Sequence, residues 1–204
     1  TSYAYWYLFN FDPNFDAEYE PENWKLAVNN ENFRKSVVHA FNRMPALATS
    51  DRIDPESLKN NTITPNAFAS ASKDYTYYEG LAAYTDGDNF DEALAAEYKA
   101  AAIDELTAAG ATFPVKMLMC YNPTSANWAQ ECQVVEQQIE TVLGADYVDI
   151  IIQAGPETGF LGAIRRTGKY AFMKCNWGAD YADPETWTCL LYTSDAADEA
   201  RSVD

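Results

Sequence analysis

The sequence is poor in the side chains that bind metals or act in nucleophilic catalysis. It has one histidine, His39, and four cysteines without a Cys-x-x-Cys pair. A structural zinc site needs closely spaced Cys and His ligands, so this pattern argues against one, and a Ser–His or Cys–His catalytic pair could use only His39. We expect no bound metal and no cofactor, and we expect two or three of the cysteines to be buried apolar residues. The cysteines are Cys120, Cys132, Cys175 and Cys189.

Basic residues are also few. Lys and Arg number 14 against 31 Asp and Glu, which gives a formal net charge of −17. Nucleic acids bind to basic faces, and anionic membrane surfaces attract basic segments. We therefore expect no nucleic-acid partner and no direct association with a membrane surface.

Long hydrophobic runs are absent from the sequence. No run approaches the roughly 20 apolar residues that span a bilayer, and no segment has the pattern of a signal peptide. The chain starts at Thr1 without a methionine and enters strand-like sequence at once. We interpret it as beginning inside a longer protein, either as a mature fragment or as a partial reading frame.

Sequence motifs of common enzyme classes are missing as well. There is no G-x-S-x-G elbow, no phosphate-binding loop and no dinucleotide glycine fingerprint. Paired carboxylates for glycoside cleavage must be held a few ångströms apart, whereas the turn between Asp180 and Asp183 is expected to separate them. We expect a binding protein, with a hydrolase as the less favoured alternative.

What the sequence does contain is apolar residues, 48% of the total, in helix and strand periodicity. Residues 2–11 read as an aromatic strand. From residue 90 to 177, helical and strand-like segments alternate, which predicts an α/β layer whose strands are buried on both faces. In such a layer ligand groups gather beyond the carboxyl ends of the strands.

Three helices are predicted with defined core faces. In the first, Asn30 is the expected N-cap and His39 should face solvent or a neighbouring element. In the second, Asn89 or Asp91 caps the start and Gly110 ends the helix. The expected core residues are Phe33, Val37, Phe41 and Met44 in the first helix, Leu94, Tyr98, Ala101 or Ala102, Leu106 and Ala109 in the second, and Trp128, Cys132, Val135, Ile139 and Val142 in the third.

The stretch "WGADYADPETW", residues 177–187, places a carboxylate directly after a predicted strand. That strand ends at Trp177, and Asp180 follows before the Asp183–Pro184 turn. A carboxylate sheltered by an indole is suited to holding a cation, such as the α-ammonium group of a peptide. We expect Trp177 to exclude water and Asp180 to bind the cation, although Asp180 could instead cap the following turn.

Three segments together carry a family resemblance. "NNENFRKSVVHAFNR", residues 29–43, and the helix–strand–helix–strand segment at 101–152 are similar in order and spacing to those of oligopeptide-binding and dipeptide-binding proteins of ABC importers. "YAFMKCNWGADYADPETW", residues 170–187, resembles the Gly-Trp-x-x-Asp-Tyr-x-x-Pro segment of the same proteins. These are the family 5 extracytoplasmic solute-binding proteins.

The resemblance implies a fold class and a domain assignment. The family fold is a two-lobed clamp of the type II periplasmic-binding-protein class, an α/β structure with a mixed sheet and flanking helices. Residues 1–188 look like part of its C-terminal lobe. Residues 189–204, "CLLYTSDAADEARSVD", instead resemble a translated sequencing adapter, and we expect them to be a non-native tail; a native helical linker is the alternative.

The resemblance also implies a set of ligand-binding residues. Asp180 matches the family aspartate that binds the amino terminus of the ligand, and Asn176 and Gly178 match positions whose backbone pairs with it. The ligand carboxylate would be held by Arg165 or Lys174; the lysine stands where some members have arginine, so bidentate capture is lost there. Ordinary structural roles remain open for both residues and for the glycine.

The function implied is binding of an oligopeptide for uptake by an ABC permease, outside the cytoplasm, in the periplasm or on a lipid anchor. We expect a monomer with a peptide ligand. A binding protein for a different solute is the alternative, because relatives take sugars, nickel chelates or haem. A single histidine makes direct nickel ligation poor, whereas the aromatic residues suit sugar stacking as well as core packing.

Overall fold

A computed structural model describes residues 3–65, 68, 70–72, 75–76, 87–179 and 186–187 of the chain. The chain forms two compact units. The first unit comprises Thr1–Tyr7, Lys59–Asp88 and Lys174–Asp204, and the second comprises Leu8–Leu58 and Asn89–Met173. Asp180, Asp183 and the predicted tail at 189–204 lie outside the described residues. The assignment of 1–188 to one lobe and 189–204 to a tail stays a prediction.

The described elements are short strands and helices in mixed order. The strands are β1 Tyr3–Phe9, β2 Ser70–Ser72, β3 Tyr75–Thr76, β4 Val115–Tyr121, β5 Val148–Ala154 and β6 Phe172–Gly178. The α-helices are α1 Pro21–Asn29, α2 Glu31–Ala40, α3 Met44–Leu47, α4 Glu92–Ala108 and α5 Trp128–Leu143. Short 3₁₀ turns cover Ala17–Tyr19 and Pro55–Leu58, and a π turn covers Leu161–Arg165. No described helix combines the length and hydrophobicity that crossing a bilayer requires.

The second unit is built on a parallel strand pair. β4 and β5 run in register from Val115 opposite Val148 to Tyr121 opposite Ala154, and α5 connects them. Five of the seven β4 residues are buried, as expected for a strand covered on both faces. The predicted parallel α/β arrangement is confirmed for these two strands, whereas burial on both faces is confirmed for β4 alone, since only Val148 and Ile150 of β5 are buried. β6 departs from it, because its sheet partner is β1.

The core of the second unit is centred on aromatic residues. Trp24 is fully buried, packs edge-on against Phe33 at 5.9 Å and donates its indole N–H to the Asn10 carbonyl at 2.8 Å. Phe33 in turn contacts Tyr147 at 5.7 Å, and the Tyr147 hydroxyl lies 2.9 Å from Ser36 Oγ. Burial raises the pKa of Tyr147 to about 12, so the hydroxyl stays neutral at physiological pH.

The first predicted helix is shorter than expected. α2 ends at Ala40, and Phe41 has an extended backbone. Because Pro45 has no N–H, a helix continued through Met44 would leave the Phe41 carbonyl without its usual partner; in α3 the proline instead occupies the first turn, where no N–H is needed. The prediction that Phe41 and Met44 belong to the buried stripe is wrong, since both are partly exposed, whereas Phe33 and Val37 are buried as expected.

Gln138 of α5 satisfies the backbone groups at the end of α2. Its side-chain carbonyl accepts from Asn42 N at 3.0 Å, and its Nε2 donates to the Ala40 carbonyl at 2.7 Å. One side chain therefore bridges two helices and replaces the hydrogen bonds that the broken helix has lost.

The N-caps of α2 and α4 agree with the sequence prediction more closely than the buried faces of the helices do. Asn30 Oδ1 accepts from Phe33 N, and Asp91 Oδ1 accepts from Ala93 N and Leu94 N, as expected of N-caps. His39 stacks on Tyr98 at 5.6 Å, so it faces a neighbouring helix.

The buried face of α4 agrees with its prediction only in part: Ala102 and Leu106 are buried as expected, but alanines on several sides leave the apolar periodicity without a clear preference. The face consists of Ala95, Ala102 and Leu106, while Leu94 and Tyr98 are partly exposed and Ala109 is exposed. In α5 the buried residues are Glu131, Cys132, Val135, Ile139 and Leu143, whereas the predicted Trp128 and Val142 are partly exposed.

We expect Gln138→Ala to lower the free energy of unfolding by about 1–2 kcal/mol, because it leaves two partly buried backbone groups without their partner. Urea denaturation followed by circular dichroism measures this change. Gln137→Ala is the matched control: the neighbouring side chain on the same helix is exposed, and its removal should change stability by less than about 0.5 kcal/mol. Equal effects of the two substitutions would contradict the bridging role.

Candidate functional site

The predicted site residues of β6 lie on a strand with two different faces. Cys175 and Trp177 are buried, whereas Lys174, Asn176 and Gly178 are partly exposed. Successive side chains of a strand point to opposite sides, so the two sets belong to opposite faces. The structure therefore does not bring Trp177 together with Asn176 and Gly178 on one surface.

Two tyrosines of β1 complete the exposed face. The Tyr3 ring lies against Gly178, and Lys174 Nζ lies 5.8 Å from the centroid of the Tyr5 ring. Tyr3 near the start of β1 therefore lies beside Gly178 at the end of β6, and Tyr5 lies near Lys174. This is the arrangement of two antiparallel strands. We call this surface of the first unit, formed by Tyr3, Tyr5, Lys174, Asn176 and Gly178, the tyrosine face.

The opposite face packs into a small core. Trp177, 8% exposed, clusters with Ala4 and Trp187, and its indole N–H donates to the Thr186 carbonyl at 3.2 Å. Phe68 meets Trp187 edge-on at 5.6 Å. Trp177 thus fixes the backbone at residue 186 from one side of the strand; its assignment as a ligand-binding residue stays a prediction.

The ring of Tyr3 leaves no space for a side chain at residue 178, so a glycine is needed there. A Cβ at residue 178 would come within 2.6 Å of Tyr3 Cε1, closer than van der Waals contact allows. The family resemblance implies that the backbone at this glycine pairs with the ligand. In the structure the space above its Cα is filled by the Tyr3 ring, while a ligand strand would pair through the in-plane N–H and carbonyl groups.

The remaining predicted residues are divided between the units. Arg165 ends the π turn of the second unit and is partly exposed. Lys174 belongs to the first unit, where its ammonium group has the Tyr5 ring as one neighbour. The role of each as a carboxylate partner stays a prediction, as does that of Asp180, which lies outside the described residues.

Sequence reasoning missed Tyr3 and Tyr5 as surface residues. They are 49% and 58% exposed, yet the first strand is aromatic on both faces, so its own periodicity gave no sign of which face is outside. The partner strand β6 indicates which face is exposed, because its residues Lys174, Asn176 and Gly178 alternate with apolar residues.

Neither cysteine chemistry nor metal binding is indicated in the part of the chain that the structure describes. Cys120, Cys132 and Cys175 are buried, which confirms the expectation for these three. Burial raises the pKa of the Cys120 thiol to about 12, so it is a poor nucleophile. Within the described ranges, no three His, Cys, Asp or Glu residues are grouped as metal ligands.

We expect the effect of Gly178→Ala on stability to depend on Tyr3. Glycine within a strand costs about 0.5–1 kcal/mol relative to alanine, so in a Tyr3→Ala background the substitution should stabilise the first unit by that amount. With Tyr3 present, displacement of the ring should cancel or reverse this gain. Urea denaturation of the four variants in a double-mutant cycle measures the coupling, and equal effects in both backgrounds would show that the contact has no energetic weight.

Comparison with known proteins identifies the family. Residues 1–199 match the family described as "Bacterial extracellular solute-binding proteins, family 5 Middle", a span that includes part of the predicted tail. The oligopeptide-binding protein AliB of Streptococcus pneumoniae is 26% identical, over 95% of this chain and 34% of its own length. AliA of the same species is 29% identical over 83% of this chain and 29% of its own. The chain thus spans about a third of the length of these relatives.

Solved structures show the same fold. The substrate-binding domain of an oligopeptide ABC transporter from Bacillus anthracis superposes with a TM-score of 0.71 at 17% identity, covering 98% of this chain and 36% of that one. Listeria monocytogenes OppA, solved with a bound peptide, gives a TM-score of 0.69 at 18% identity over 97% and 35% of the two chains. The fold is that of the type II periplasmic-binding-protein class, and the chain belongs to family 5 of the bacterial extracellular solute-binding proteins.

Proposed function

We propose that this chain forms part of the oligopeptide-binding site of a solute-binding protein that serves an ABC importer. Relatives that match most of the chain are described as oligopeptide-binding proteins. The observation that carries the proposal is the two-faced strand β6, which leads toward Asp180 with one side anchored in a core and the other partly exposed. The ligand is bound and released without chemical change.

The ligand's amino terminus is held by Asp180. A charge-assisted hydrogen bond between a carboxylate and an ammonium group contributes on the order of 1.5–3 kcal/mol, and desolvation of the two ions offsets part of it. Trp177 supports this role indirectly, because its contacts with Ala4 and Thr186 hold the strand from which the Asp180 segment departs.

The ligand's backbone pairs with β6 at Asn176 and Gly178. Main-chain hydrogen bonds along a strand do not depend on side-chain identity, which suits a protein that accepts many peptides. The ligand's carboxylate would pair with Lys174, and Arg165 is the alternative. Lys174 has a single ammonium group, so its ion pair with a carboxylate is less directional than the bidentate pair that an arginine forms.

Partners and location follow from the family. Its members are described as extracellular solute-binding proteins, and we propose that this protein works in the periplasm or on a lipid anchor, as a monomer that delivers its ligand to an ABC permease.

The proposed function is tested by Asp180→Asn in the complete gene product that contains these 204 residues. We expect binding of free peptides to weaken about tenfold or more, since the charge-assisted bond is lost. N-acetylated peptides should bind poorly to the unaltered protein and be indifferent to the substitution. Isothermal titration calorimetry gives the dissociation constants.

Asp183→Asn is the matched control, because it removes the same charge three residues further along the chain and should leave peptide affinity unchanged. Equal affinity of the unaltered protein for free and acetylated peptides would exclude the ammonium-binding role of Asp180. A thermal-shift comparison of peptides, sugars and nickel salts separates the solute classes, and stabilisation by a sugar alone would overturn peptide binding.

A further inference from the structure

The tyrosine face is the exposed apolar surface of the first unit. Among the described residues of that unit, the large apolar side chains that stand exposed are Tyr3 and Tyr5, and they are neighbours on one face of one strand. Aromatic side chains bury a large apolar area when a partner covers them, and this burial stabilises the contact. Adjacent exposed rings therefore mark a place where a ligand group can bind.

The spacing and inclination of the two rings allow a third aromatic ring to contact both of them. Their centroids are 6.3 Å apart and their planes are inclined by 44°. Aromatic pairs prefer offset-stacked or edge-to-face contacts at centroid distances of about 4.5–7 Å, so one added ring can meet both tyrosines within that range. A flat aliphatic surface would not distinguish a ring from a branched chain in this way.

Lys174 adds a charge to this surface. Its ammonium group lies 5.8 Å from the Tyr5 centroid, within the range of a cation–π contact. The same cation can act on the π system of an added ring, and it disfavours a basic side chain at that position. The surface therefore favours an aromatic group over an aliphatic one of equal size.

The extent of the face fits an extended peptide. Lys174 and Gly178 are four residues apart on the strand, about 13 Å at the usual rise per residue. A peptide paired with β6 on the edge away from β1 would place every second side chain on this side of the sheet, from where a large side chain can extend across Gly178 toward Tyr3 and Tyr5. The face is also continuous with the backbone positions proposed to bind the ligand.

We propose that the tyrosine face is a side-chain subsite that selects peptides carrying an aromatic residue. This inference rests on the proposed function, because it assumes that a peptide lies along β6. Tyr5 is its principal contact, and Tyr3, held against Gly178, forms its second wall.

The test uses the complete gene product and three sets of alanine hexapeptides. Each position in turn carries phenylalanine, cyclohexylalanine or lysine, so the first two sets differ in aromatic character at nearly equal size. We expect the phenylalanine peptide to bind about fivefold more tightly than its cyclohexylalanine counterpart at one position or at alternate positions, and the lysine peptide to bind more weakly there. Isothermal titration calorimetry gives the ratios.

Substitutions locate the preference. Tyr5→Leu should reduce the phenylalanine-to-cyclohexylalanine ratio to about one, and Tyr5→Trp should retain it. Phe11→Leu is the matched control in the second unit, because Phe11 is also exposed, at 41%, with Arg34 at 5.3 Å from its ring, and its loss should leave the ratio unchanged. Circular dichroism confirms that each variant is folded.

The outcomes separate this inference from the proposed function. Peptides that bind with equal affinity whether they carry phenylalanine or cyclohexylalanine would overturn the subsite and leave peptide binding intact. An aromatic preference that survives Tyr5→Leu, or a uniform loss of affinity for all three sets in that variant, would also overturn it. If no peptide binds at all, the proposed function itself fails.

Discussion

Trp177 packs against Ala4 and Trp187, and this contact decides which side chains of β6 remain outside the core. A strand cannot turn one residue inward without turning the next outward, so burying the indole exposes Asn176 and Gly178. The backbone that the ligand would pair with is therefore held from behind by apolar packing. On the exposed side lie Tyr3, Tyr5 and Lys174, which form the proposed subsite.

The second unit is held together by different contacts. Most residues of β4 are buried, and the aromatic series from Trp24 through Phe33 to Tyr147 ties α1 and α2 to the segment that leads into β5. Polar groups within that core are paired, as the Trp24 and Tyr147 hydrogen bonds show. Such pairing is what allows polar aromatic side chains to be buried without a large desolvation cost.

Features that depend on residues close together in the sequence were predictable. Asn30 and Asp91 act as N-caps as expected, and the parallel α/β pair follows from apolar strands that alternate with helices. The end of α2 was missed because it depends on Pro45 and on Gln138, a residue distant in sequence whose contact no local pattern reveals. The alternation of apolar residues with Lys174, Asn176 and Gly178 indicates that β6 has two different faces. The exposed side of β1 cannot be identified from its own sequence and becomes clear only from its pairing with β6.

The buried cysteines have a consequence for a protein whose family works outside the cell. Cys120, Cys132 and Cys175 are buried and form no disulfide with one another, and burial raises the pKa of the Cys120 thiol to about 12, so that thiol stays protonated at neutral pH. In an oxidising environment no reductant maintains them, so packing alone protects them. In such an environment, oxidation of these thiols would require transient opening of the fold, so the frequency of that opening would limit the damage.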